Sequence, residues 1–165
     1  MNYYNNNHGG DILTYNNTGA VAALSTYKET KIKTASQGQL IIMLYDEAIK
    51  RMNRALELLE LSSGERKDPG KIEEISKTVM KAEEIITELM VSLDFEQGGE
   101  ISQNLFALYT WFNRELLEAN IAQDKDRMTN VTNMLKELRN AWHVIISNNA
   151  AENRNREVTG INIAG

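Results

Sequence analysis

Ser36-Gln37-Gly38-Gln39-Leu40-Ile41-Ile42-Met43-Leu44-Tyr45-Asp46-Glu47-Ala48-Ile49-Lys50-Arg51-Met52-Asn53-Arg54-Ala55-Leu56-Glu57-Leu58-Leu59 is the stretch whose periodicity decides the fold. Leu40, Leu44, Ala48, Met52, Ala55 and Leu59 recur at helical spacing, so they line one side of an α-helix. Ser36 with Gln39 reads as a capping box that starts it. Ser62-Ser63-Gly64 ends it. Asp68-Pro69 then supplies an N-cap followed by proline at the first helical position. A second stripe follows at Ile72, Ile75, Val79, Ala82, Ile86, Leu89 and Leu93, with a stop expected near Gly98-Gly99. The third stripe is Ile101, Leu105, Leu108, Phe112, Leu116 and Ala119. The fourth starts at Asp124 or Asp126 and carries Val131, Leu135, Leu138, Trp142 and Ile145.

Four long amphipathic rods with short links predict an all-α fold, an antiparallel up-down four-helix bundle. A single proline in 165 residues agrees with long unbroken helices. The bundle is expected over residues 34–147. Residues 1–19, rich in Asn, Gly and Tyr, read as a disordered leader. Residues 20–33 contain Ala20-Val21-Ala22-Ala23-Leu24-Ser25-Thr26-Tyr27, a short helical arm that needs a surface to dock on. Residues 148–165 read as a flexible tail.

Composition removes several functions. Eighteen Lys and Arg against 23 Asp and Glu leave a net charge of −5, so no basic excess draws the chain to nucleic acid. No apolar run is long enough for a membrane span, and no export signal is visible at residues 1–8, so the cytosol is the expected compartment. With no cysteine there is no disulfide framework and no thiolate chemistry. The only histidines are His8 and His143, preceded three residues earlier by Asn5 and Asn140. The Glu-x-x-His pairs of di-metal bundles are therefore missing, and neither a metal nor another cofactor is expected. Gly98-Gly99-Glu100 lacks the strand and the Lys-Ser/Thr of a phosphate loop and reads as a turn with a glycine C-cap. No nucleophile has a base beside it, so the chain is not read as an enzyme.

Apolar surface is in excess. Ile41, Ile42, Met43 and Tyr45 lie off the first stripe, and Phe106, Tyr109, Trp111 and Leu117 lie off the third. A single four-helix core cannot bury a helix all round, so this surface calls for the arm, a second copy of the chain in a homodimer, or a partner.

Five blocks carry a resemblance beyond this pattern. Thr34-Ala35-Ser36-Gln37-Gly38-Gln39-Leu40-Ile41-Ile42-Met43-Leu44-Tyr45-Asp46-Glu47-Ala48-Ile49 is similar to the opening helix of the flagellin-specific export chaperones, the FliS family. Ser92-Leu93-Asp94-Phe95-Glu96-Gln97-Gly98-Gly99-Glu100-Ile101 and Asn104-Leu105-Phe106-Ala107-Leu108-Tyr109 resemble its central signature. Leu116-Leu117-Glu118-Ala119-Asn120 and Leu138-Arg139-Asn140-Ala141-Trp142 follow in order, and the likeness covers about residues 20–146. Gln37 stands where the family pattern has proline, and Asp46-Glu47 where it has Asp-Gly.

The resemblance implies a cytosolic chaperone that binds the C-terminal segment of flagellin, prevents premature polymerisation and delivers it to the flagellar type III export gate. It implies a flagellin groove formed by Leu40, Met43, Leu44, Tyr45, Leu93, Asp94, Asn104, Leu105, Leu108 and Tyr109. For the arm it implies docking to the export gate through Leu24 and Tyr27, and folding over the empty groove. The competing reading is a self-associating helical adaptor with no export client.

Overall fold

The computed structural model describes residues 36–62 and 68–161, with side chains to residue 156. Four helices follow one another: α1 Gln37–Ser62, α2 Pro69–Val91, α3 Phe95–Ala122 and α4 Lys125–Ile161. No strand occurs among the described residues. Each helix packs on its neighbours in chain order and α4 returns to α1, which closes an up-down bundle. The interior is one cluster built from all four, including Met52 of α1, Val79 and Ile86 of α2, Phe112 and Leu116 of α3, and Met128, Val131 and Leu135 of α4.

The helix ends follow from local chemistry. Ser36 precedes the first helical residue of α1, as the capping box requires. Gly38 is where α4 comes closest: a β-carbon there would meet the Ile146 side chain at 2.8 Å. Asp68 caps α2 by accepting from the Gly70 N–H at 2.9 Å, ahead of Pro69. At the α3–α4 turn, Gln123 adopts a left-handed conformation at φ 52°. Its N–H reaches Asn120 O and the Asp124 N–H reaches Ala119 O, which closes α3 with a Schellman motif. Asp124 then caps α4 by accepting from the Arg127 N–H.

Two boundaries differ from the expectation. α2 ends at Val91, not near Gly98-Gly99, and Ser92 is its C-cap. The turn comes early because Asp94 is a strong N-cap, accepting from the Glu96 and Gln97 N–H groups at 2.9 Å each. One helical turn follows before Gly99 breaks the regular path at φ 49°, ψ −123°. That conformation is open to glycine and strained for other residues. Gly98 is needed for another reason: the Ser102 side chain folds over it, donating to Asp94 O at 2.7 Å, and a β-carbon at 98 would collide with it. Leu93 accordingly lies in the turn and not on α2.

The other difference is the end of α4, which continues past residue 147 to Ile161. No proline or glycine interrupts it before Gly160, and Ala150, Ala151, Glu152, Arg154 and Arg156 favour helix. Leu24 and Tyr27, the leader and the arm lie outside the described residues.

Asp94→Ala removes the cap of α3 and should cost about 1 kcal/mol. Urea unfolding is expected to show a lower midpoint at unchanged slope, since the surface exposed on unfolding stays the same.

Candidate functional site

At the end of the bundle where the α2–α3 turn lies, an apolar groove of about 510 Å³ is bounded by all four helices. Leu89, Ser102 and Tyr109 form its buried floor. Ile101 and Leu105 stand on the α3 side, and Leu138, Ala141, Trp142 and Ile145 on the α4 side. Gln37 and Ile41 at the start of α1 and Leu93 and Asp94 in the turn complete the lining. The α3–α4 contact is the sparsest of the four helix pairs. At the opposite end Arg127 holds these two helices together through Glu115, at 2.5 and 2.9 Å, and Glu118, at 2.6 Å. These ion pairs hold the Glu115 and Glu118 carboxyls below their ordinary value, chiefly through the hydrogen bonds from Arg127.

Large apolar side chains stay exposed at the groove rim: Ile101 is 69% accessible and Ile145 50%. Phe95 and Phe106 make an edge-on pair, centroids 5.9 Å apart, beside the same turn. The polar members Gln37, Ser92, Asp94 and Gln97 sit around this apolar lining. Such a surface takes an apolar strip of a partner and uses a few polar groups to fix its register. Among the described residues no cluster of His, Asp and Glu side chains is placed to hold a metal ion. None of the described helices is long and apolar enough to cross a membrane.

The expected groove residues divide into three groups. Leu93, Asp94, Leu105 and Tyr109 line the groove together. Leu40, Met43, Leu44 and Leu108 are half-buried outside it, with Leu44 and Leu108 packed against the core, and Asn104 is exposed. Tyr45 and Tyr109, which the resemblance assigns to the groove, are both interior, at 0% and 1% accessibility. Their hydroxyls bond to each other at 2.5 Å across the bundle. Each phenol gives the other its partner, so neither has to reach the surface. Asp94 serves first as a helix cap. Periodicity assigned Leu138, Trp142 and Ile145 to the core; they form much of the groove wall. Their one signal was that they continue the α4 stripe to the level of the α2–α3 turn.

The family model described as flagellar protein FliS matches residues 20–149. The chain belongs to the FliS family. The flagellar secretion chaperone FliS of Bacillus subtilis is 29% identical over 136 residues, spanning 82% of this chain and 92% of the relative. The Salmonella typhimurium chaperone of the same name is 34% identical over 132 residues, with 79% and 92% covered. A crystal structure of a bacterial flagellar chaperone superposes with a TM-score of 0.59, covering 78% of this chain and 98% of the other at 19% identity. That likeness supports the helical bundle. Glu47, which stands where the FliS pattern has glycine, pairs with Arg51 one turn on, while its neighbour Asp46 takes two hydrogen bonds from Arg139 of α4.

Burial pushes the pKa of both Tyr45 and Tyr109 above the ordinary 10.0, while the nearby Trp142 side chain opposes the rise. A phenol whose folded pKa is raised contributes stability that is fully present below pH 10. That stability is lost as pH rises beyond 10, because the unfolded chain ionises first. Chemical unfolding at successive pH values should show a fall above pH 10 that is shallower in the Tyr45→Phe, Tyr109→Phe double variant.

Proposed function

We propose that this chain is a cytosolic, non-enzymatic chaperone that binds the C-terminal segment of flagellin, keeps it from polymerising early and delivers it to the flagellar type III export apparatus. The observation that carries the reading is the apolar groove between α3 and α4 in a member of the FliS family. A client that is disordered when free loses entropy on binding, at a cost of about 2–5 kcal/mol or more. Ile101, Leu105, Trp142 and Ile145 offer the apolar contact that offsets it. Asp94 uses only Oδ1 to cap α3, which leaves Oδ2 to accept from a client N–H. Leu24 and Tyr27 are proposed, on the family resemblance, to dock on the export gate.

Calorimetric titration with the C-terminal segment of flagellin from the same organism tests this reading. Saturable binding with a negative heat-capacity change is expected, weakened at least about tenfold by Ile101→Glu. Ile101 is an exposed rim residue, so that variant keeps its core, whereas truncating the interior Tyr109 would unsettle the bundle. No heat from a folded protein and intact segment would leave the self-associating adaptor. A chain lacking residues 1–27 should bind flagellin at least as tightly if the arm acts as a lid, and a clear loss of affinity would sink the lid.

A further inference from the structure

The apolar surface outside the groove is also organised. Thr87 on α2 and Asn113 on α3 are joined across the helix pair, with the Asn113 amide donating to the Thr87 hydroxyl at 3.0 Å. Helical spacing places Met80, Glu84 and Val91 on the same side of α2 as Thr87. It likewise places Phe106, Leu117 and Ile121 on the same side of α3 as Asn113. All six flanking residues are exposed, Leu117 at 52% and Ile121 at 79%. The cross-helix bond therefore marks the middle of a seam that is apolar at both ends and runs along the outside of the α2–α3 pair. Leu117 and Ile121 lie at least two turns along α3 beyond the groove-lining Leu105 and Tyr109.

Carboxylates outnumber the basic groups that are not already paired along this seam. Glu73 is neutralised by Lys77 and Glu118 by Arg114 and Arg127. Glu84 and Glu88 make no ion pair among the described residues, with the exposed Lys81 one turn before Glu84. Glu83 is half-buried next to Thr87's turn and is likewise without a cation; burial raises its pKa above the ordinary carboxylate value. A second copy of the chain would bring two such acidic edges together, which disfavours it.

We propose that the α2–α3 seam is a second docking surface, for a partner helix that is apolar along one face and basic along its flanks. Leu117, Ile121, Met80 and Phe106 receive the apolar face, and Glu83, Glu84 and Glu88 pair with the flanking Lys or Arg. Binding here is independent of occupancy of the groove.

The test uses the full chain and a synthetic helical peptide about five turns long, with Leu on one face and Lys on both flanks. A matched peptide with Glu flanks is the control. Methyl NMR titration is expected to show saturable shifts at Met80, Leu117 and Ile121 with the Lys peptide. Glu84→Lys should weaken binding about fivefold and Leu117→Glu more than about tenfold, both substitutions being on exposed positions outside the core. Shifts confined to Ile101, Leu105 and the rest of the groove would overturn the proposal, as would absent saturation or equal binding of the Glu peptide. Concentration-dependent dimerisation of the free chain in sedimentation, abolished by Leu117→Glu, would assign the seam to a second copy and overturn it too.

Discussion

The contact between the Tyr45 and Tyr109 hydroxyls sets the cross-section of the bundle. It joins α1 to α3 across the diagonal, where two large side chains meet end to end in the interior. Each phenol is a hydrogen-bond partner of the other, with Trp142 beside both, so the pair ties together two helices that are not neighbours. Elsewhere in the interior Ala55, Ala82 and Ala119 stand among larger aliphatic side chains and let helices approach locally. Tyr109 also lines the groove, whose walls come from α3 and α4. The floor of the proposed client site is thus made by the same side chain that spaces the core.

Much of the bundle was legible in sequence because helix periodicity and caps are local. Asp68-Pro69 starts α2, Asp124 caps α4, and the stripes through Met52, Val79, Phe112 and Val131 are the core. What was missed depends on more than one element. The glycine pair reads as the turn, but the aspartate ahead of it decides where α3 starts. Gly99 still matters, as a break inside a helix and not as the end of one. The tyrosines show the same lesson more sharply. A phenol looks like an interface residue when its own helix is read alone, and only a second phenol facing it makes full burial favourable. The contribution of Trp142 and Ile145 to the groove was equally invisible, since it arises where α4 separates from α3.

Two kinds of apolar surface coexist on a chain of net negative charge. The groove is concave, has a buried floor and carries its polar groups around the apolar lining. The seam is convex, crosses two helices and is edged with carboxylates. Concavity favours side chains inserted from a flexible segment, whereas a ridged two-helix face favours a preformed helix. The cap at Asp94 and the break at Gly99 serve the groove end, while the Thr87–Asn113 bond holds the seam.

The length of α4 has a consequence of its own. At 37 residues it extends about 55 Å, against about 39 Å for the 26 residues of α1. Ile146 meets the start of α1 at Gly38, and residues 147–156 beyond it are exposed. The same continuous helix is therefore packed into the bundle along its first part and exposed along residues 147–156. Short helical runs in water are marginal, so the free energy of opening falls along α4 from that of the whole domain to nearly zero at Ile161. Folding cooperativity ends near Ile146, well before the helix does.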